Sequence, residues 1–210
     1  QYVDWRIKHP ADDIMTQLLN TQIEDETGTR RTLAREEVLA MVTVLAAAGN
    51  ETTNRLIGWM GKVLAEHPVQ RWAVAAQPSL IPDMVEEVLR YEAPGPHAAR
   101  YVTRDITLHG KTVPKGSAID LVLAAANRDE RRFVDGETFD IHRAKLPHLT
   151  FGKGIHICLG LTLARMEARI AMEELFKLFR DWEVDYDRAV FSSSTAVRGW
   201  DALPVAITGR

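Results

Sequence analysis

The chain has 210 residues, 46% hydrophobic and 26% charged, with a formal net charge of −3; this is the balance of a globular protein with a sizeable core, not of a disordered or fibrous one. Its basic residues form pairs (Arg30-Arg31, Arg131-Arg132) and no patch, so nucleic-acid binding is not expected. A single cysteine, Cys158, excludes an internal disulfide framework and points to a reducing cytoplasm, and the longest uncharged apolar run, Val38–Gly49, falls short of the roughly 20 residues that cross a bilayer.

No signal-peptide pattern opens the chain, which starts at Gln1 without a methionine, as a processed form or a fragment would. Asp12–Ile23 has helical spacing, and the polar stretch Asp25–Arg31 with Gly28 reads as a loop. From about Leu33 to Ala65 the spacing predicts one very long helix, with Thr32 as N-cap and acidic Glu36 and Glu37 early in it. At 1.5 Å per residue it would measure about 45 Å, and Pro68 marks a stop beyond it. Apolar residues run around most of its circumference, from Val38 and Met41 to Val63 and Leu64. A helix apolar all round must be buried on all sides. The elements read after it cover one side only, so a missing N-terminal half or a second chain is expected to cover the other.

Ser79–Tyr91 reads as a further helix, with Pro82 tolerated in its first turn. Ala99–Val102, Ile106–Leu108 and Ser117–Leu123 look like short strands, with turns at His109-Gly110 and Lys115-Gly116. Leu161–Phe179 returns to helical periodicity, and Ala202–Thr208 is strand-like. The expected fold class is mainly α with small β-sheets.

The lone cysteine lies in FGKGIHICLG, residues 151–160, just before the last helix. Three readings compete: a buried structural cysteine, a Cys158–His156 nucleophile and base, and a thiolate metal ligand. A helix N-terminus favours the thiolate, the form that binds metal, and Gly152, Gly154 and Gly160 clear side chains for something flat and large. Zinc would need further ligands at set spacings. A heme iron needs one protein ligand on its proximal side, and thiolate is a known choice. Ile157 stands where a dinucleotide fingerprint would need glycine.

FGKGIHICLG resembles the cytochrome P450 heme-binding loop, F-G-x-G-x-[HR]-x-C-x-G, with every fixed position filled. The resemblance implies that Cys158 is the axial ligand of heme b (iron protoporphyrin IX), with Phe151 beside it and His156 on a propionate. It also implies that Thr150, Gly152, Leu159, Gly160 and Ala164 meet the cofactor. AGNETT, residues 48–53, interrupts the long helix with a glycine that costs about 1 kcal/mol and with polar residues. One reading is a kink bonded back to its own backbone; the other is an acid–alcohol pair facing a cofactor. The stretch resembles the family's distal motif A-G-x-[DE]-T-[ST], which implies that Glu51 and Thr52 serve oxygen activation and that Ala48 and Gly49 leave room over the iron. Glu87-x-x-Arg90 alone would be a solvated helix pair; at the family's E-x-x-R position, with Arg143 of FDIHR as third member, it implies a buried charge network. His97 and Arg100, within and after PGPHAA, fall where the family binds a heme propionate.

The resemblance runs from about residue 10 to the C-terminus. It implies that residues 1–210 are the C-terminal heme-binding part of a P450 domain, with a distal helix at 33–65, the E-x-x-R helix at 79–91, the heme loop at 151–160 and a proximal helix at 161–180. Full members are about twice as long. The implied function is a heme-thiolate monooxygenase that hydroxylates a small apolar substrate. Its electrons would come from a ferredoxin with its reductase, since no flavin or nicotinamide motif is present. Lys153, Arg165 and Arg169 would face an acidic partner, with no membrane and a cytoplasmic location. The rival is a truncated, non-catalytic heme-binding or inactive homologue; a peroxide-driven enzyme is a third reading. The intact Glu51-Thr52 pair argues against both. His9, His67, His109, His142 and His148 show no ligand spacing and read as structural or exposed.

Overall fold

The structure, a computed structural model, describes residues 1–209. The chain divides into two compact units, Gln1–Asn50 and Glu51–Arg210. In the first, α1 (Tyr2–Lys8) and α2 (Ile14–Asn20) precede an antiparallel hairpin of β1 (Gln22–Glu24) and β2 (Arg30–Thr32). The Asp13 side chain caps α2 by accepting the Thr16 N–H at 2.9 Å. Two sequence expectations are corrected here. The helix expected to reach Ile23 ends at Asn20, and the loop expected over Asp25–Arg31 is a hairpin turn. The Asp25 carboxylate closes that turn by accepting the N–H groups of Thr27 and Thr29 at 2.9 and 3.1 Å. Gly28 supplies a φ of +79°.

The long helix, α3, spans Arg35–Glu66 without a break. Thr32 is not its N-cap but the last residue of β2. The start is instead fixed by Glu37, whose carboxylate accepts the Ala34 N–H at 2.6 Å and two bonds from Arg31 at 2.6 and 2.8 Å. Exposure along α3 is uneven. Met41, Val44 and Leu45 are exposed, whereas Leu56, Trp59, Met60, Val63 and Leu64 are fully buried. The expectation that later elements cover only one side fails for this second half.

In the second unit, α4 (Pro68–Ala76) follows α3 directly. Pro68, read as a stop, also opens α4, at the first-turn position where its missing N–H is harmless. A 3₁₀ turn at Pro78–Leu80 leads into α5 (Ile81–Tyr91), so the helix expected from Ser79 has a 3₁₀ start. Then come β3 (Ala98–Tyr101), β4 (Ile106–Leu108), β5 (Lys111–Val113), β6 (Ala118–Leu121), the short α6 (Leu123–Ala126) and α7 (Leu161–Leu178). Last are β7 (Asp181–Val184), β8 (Val190–Phe191), β9 (Trp200–Ala202) and β10 (Val205–Gly209). The expected strand at Ala202–Thr208 is thus two strands, divided at Leu203-Pro204, where proline cannot donate to a ladder. The strands form two-stranded antiparallel pairs: β3 with β6, β4 with β5, β7 with β10 and β8 with β9. The core packs the buried face of α3 against Val74, Met84, Val88, Ala168, Met172, Phe176 and Trp182. Two tryptophans in it keep their polar ends satisfied: Trp59 donates to the Arg198 carbonyl at 3.0 Å and Trp182 to the Gly61 carbonyl at 2.9 Å. No described helix is long and apolar enough to cross a membrane.

The E-x-x-R pair of α5 is buried, Glu87 at 6% and Arg90 at 2% exposure. Arg90 grips Glu87 with two bonds of 2.7 Å. Its remaining donors reach the carbonyls of Asn127, Gly136 and Thr138 at 2.9, 2.8 and 3.1 Å. Arg143 joins through a 3.1 Å bond to Glu87, which also accepts the Asp140 N–H at 3.0 Å. Removing one member of such a pair strands the other without compensation, at about 3–5 kcal/mol. Arg90→Ala is therefore expected to lower the melting temperature by on the order of 10 °C, measured by calorimetry. A variant melting like the parent would show the pair to be dispensable.

Candidate functional site

The 151–160 loop is shaped from below. Asn127, fully buried, sits just after α6. Its amide accepts the Leu149 N–H at 2.7 Å and donates to the Thr150 hydroxyl at 2.8 Å. The Thr150 hydroxyl donates in turn to the Leu89 carbonyl of α5 at 2.6 Å. Phe151 packs against the core. Beyond it the backbone turns sharply: Gly152 and Gly154 have φ of +70° and +76°, values that side-chain-bearing residues rarely adopt. The Cys158 N–H closes the turn on the Phe151 carbonyl at 2.8 Å. Gly160 is the N-cap of α7.

Cys158 is a free, exposed thiol, so the buried structural reading does not hold. Nothing lies within 4 Å of where a Cβ would stand on Gly154 or Gly160. Around it Ile155 is 96% exposed and Leu159 79%, with Ile157, Leu163 and Met166 also exposed. Among the described residues no group of three His, Cys, Asp or Glu could hold a metal ion. One soft ligand, open glycine backbone and a surround of bare apolar side chains suit a flat, largely apolar group whose metal needs a single protein ligand. A heme fits that donor set; a zinc ion does not.

A second polar cluster braces the loop. Arg165, in the first turns of α7, donates to Glu86 of α5 at 2.5 and 2.9 Å and stacks its guanidinium 4.6 Å from the centre of the Phe151 ring. The Thr150 N–H donates to His148 Nδ1 at 3.3 Å, so the proton sits on Nε2, which donates to Glu86 at 3.3 Å. Burial opposes ionisation of Glu86, but the bonds from His148 and Arg165 outweigh it and hold the carboxyl at about 2. The Arg165 pKa is raised, first by its bond to Glu86 and in smaller part by the nearby Cys158 sulfur.

Ala48 and Gly49 lie on exposed turns of α3, with open space where a Gly49 Cβ would stand. Glu51 is exposed and Thr52 half-buried, both within continuous helix, so AGNETT does not end or break α3. His156 is exposed in the loop and Ala164 half-buried in α7. Arg100 on β3 is exposed and donates to the neighbouring Ala99 carbonyl at 2.8 Å. His97 has both ring nitrogens engaged, with Asp120 at 2.9 Å and the Thr195 carbonyl at 2.7 Å. The Thr195 bond foremost, then Asp120, raises its pKa. Phe151, Gly152, His156, Cys158, Leu159, Gly160 and Ala164 thus share one loop–helix unit. Sequence reading missed Asn127, Glu86 and His148 as its supports; their partners lie 22 to 79 positions away. Nothing local in the sequence marks these three.

Residues 70–194 match the family model described as "Cytochrome P450". The chain is 41% identical to "Cytochrome P450 CYP107DY1" of Priestia megaterium over 94% of its own length and 47% of that protein. It is 36% identical to "6-deoxyerythronolide B hydroxylase" of Saccharopolyspora erythraea over 99% of its length and 51% of that protein. Among solved structures it is similar to cytochrome P450 CYP109Q5 from Chondromyces apiculatus, with a TM-score of 0.91 and 38% identity, covering 100% of this chain and 53% of that one. The chain spans about half the length of the curated relatives it matches.

The Glu86 cluster has a pH signature. A carboxyl held below its ordinary range stabilises the fold fully above about pH 4.5, and that contribution is lost as pH falls toward its folded value of about 2. Urea unfolding of the parent and of Glu86→Gln should differ most near neutral pH and converge in acid. A difference that stays constant down to pH 2 would show that Glu86 does not titrate as a bonded carboxylate.

Proposed function

Since the chain belongs to the cytochrome P450 family, and its fold is the helix-rich P450 fold of which it covers about half, we propose that it forms the cysteine-bearing part of a heme-thiolate monooxygenase. The observation that carries this reading is the exposed Cys158 at the end of a glycine-turned loop ringed by bare apolar side chains. In this reading the Cys158 thiolate would hold the iron of heme b. Gly160 admits the macrocycle, Gly152 gives the loop the turn that serves it, and Thr150, Phe151, Leu159 and Ala164 line it. Arg100 and His156 face the propionates, where charge-assisted bonds favour carboxylate, and His97 joins them by giving up one of its present bonds, to Asp120 or to the Thr195 carbonyl.

When bound, the heme supplies activation of dioxygen and insertion of one oxygen atom into a substrate C–H bond. The chain's own residues hold and move protons: Glu51 presents an exposed carboxylate and Thr52 a half-buried hydroxyl one position on. Electrons arrive from an acidic partner, a ferredoxin with its reductase, and Lys153 and Arg169 offer it positive charge. The substrate is a small apolar molecule, in keeping with a relative named for hydroxylating 6-deoxyerythronolide B. A single cysteine and bacterial relatives favour a cytoplasmic protein. The alternative, a heme-binding homologue without turnover, draws on one observation, the half-length match to the relatives.

The test is the carbon-monoxide difference spectrum of the reduced, heme-loaded protein. The parent should give the thiolate-type band and Cys158→Ser should lose it; a band that survives the substitution removes Cys158 as ligand. Thr52→Ala should keep the band and its heme while diverting reducing equivalents to peroxide or water. Coupling unchanged in Thr52→Ala, measured as product formed per electron pair, would contradict its role. A protein that shows the band but consumes no reducing equivalents supports the alternative.

A further inference from the structure

Arg55 lies one helical turn after Glu51 on α3, and its guanidinium joins parts of the chain far apart in sequence. Its Nη2, with two N–H groups to give, faces three acceptors: Asp201 of β9 at 2.6 Å, Glu51 at 3.0 Å and, as the weakest, Ser192, just after β8, at 3.3 Å. Its Nη1 donates to the Trp200 carbonyl. The side chain is only 11% exposed, while Glu51 and Asp201 are 47% and 49% exposed. Gly199, immediately before β9, is packed against the stem: a Cβ there would stand 2.7 Å from Arg55 Cδ and 2.9 Å from its Cβ. This close approach requires the glycine.

We propose that Arg55 is a positioning residue for Glu51, a fixed cation seated on the β8–β9 hairpin that sets where the Glu51 carboxylate rests. The proposal builds on the reading of Glu51 as a proton-relay acid. The two carboxylates share one guanidinium unequally. The shorter bond to Asp201, the Trp200 carbonyl and the Gly199 contact hold Arg55 to the hairpin, so the cation does not follow Glu51. A half-exposed ion pair is weak, so the Glu51 carboxylate can leave Arg55 and return to the same place. The hairpin thereby orients an acid on α3 through Arg55, which lies 137 and 146 positions in sequence from Ser192 and Asp201. Arginine suits this task and lysine less so, because several acceptors must be met at once by one rigid fork.

The experiment is a mutant cycle in the complete, heme-loaded protein, read as product formed per electron pair. Arg55→Gln should lower coupling about tenfold, short of the ~10²-fold that a 1 Å misplacement can cost. Arg55→Lys should fall between Arg55→Gln and the parent. In a Glu51→Gln background Arg55→Gln should add little, because the two act through one carboxylate. Full additivity overturns the positioning role. If Glu51→Gln uncouples and Arg55→Gln does not, that role alone fails; if Glu51→Gln couples like the parent, the relay reading fails first and takes it down. A second readout needs neither turnover nor an Arg55 variant. ¹⁵N-arginine NMR of the carbon-monoxide form should show the Arg55 side-chain signals shifted by Glu51→Gln and by Asp201→Asn. Signals indifferent to Glu51→Gln would overturn the proposal.

Discussion

The structure of the cysteine loop depends on one buried cation. Arg90 spends its guanidinium on both oxygens of Glu87 and on the carbonyls of Asn127, Gly136 and Thr138. Those carbonyls belong to residues 127–138, a stretch after α6 with no strand or helix of its own, and so no ladder to satisfy its backbone. The arginine replaces that ladder. Once the Asn127 backbone is fixed by Arg90, the Asn127 side chain is aimed at Leu149 and Thr150, and the Thr150 hydroxyl returns to α5 at Leu89. A circuit of hydrogen bonds thus runs from α5 through residue 127 to the root of the loop and back to α5.

That circuit explains how the loop is firm below and bare above. Polar groups beneath it are partnered: Glu86 with Arg165 and His148, Thr150 with Leu89 and Asn127, and the Cys158 N–H with Phe151. On the outer side stand glycines with open space, an exposed thiol and exposed Ile155 and Leu159. Exposed large apolar side chains gathered about one loop usually mark a binding surface. Holding the thiol on a braced loop keeps its position independent of what it binds, which is what a metal ligand on a large cofactor needs.

Much of this was legible in the sequence, for identifiable reasons. The helices α3, α5 and α7 carry long periodic patterns, and the expected bounds differ from the observed ones by two residues or fewer. Motif residues in the loop were visible because glycine and cysteine are rare and their spacing is fixed by a tight turn. Local capping and short elements were less legible. Thr32 has the chemistry of an N-cap, yet it pairs with Gln22 in a hairpin whose register no local rule reveals. Pro68 reads equally as a stop after one helix and as the first turn of the next, and here it is both. The supports of the site were hidden for a different reason: Asn127, Glu86 and Arg55 are ordinary polar residues whose partners are brought to them only by the tertiary fold. Even the Glu87–Arg90 pair, readable at i,i+3, gave no sign by itself that it would be sealed from water.

Amide hydrogen exchange on Asn127→Ala would test most directly whether the buried network shapes the cysteine loop. The Leu149 N–H loses its acceptor in that variant, while the Cys158 N–H, nine residues after Leu149 and bonded to the Phe151 carbonyl, is untouched by the substitution itself. If Arg90 and Asn127 hold the loop as a unit, protection at Cys158 falls together with protection at Leu149 while α5 and α7 keep theirs. Loss confined to Leu149, with Cys158 as protected as in the parent, would mean that the glycine turn shapes itself and owes nothing to the network beneath it.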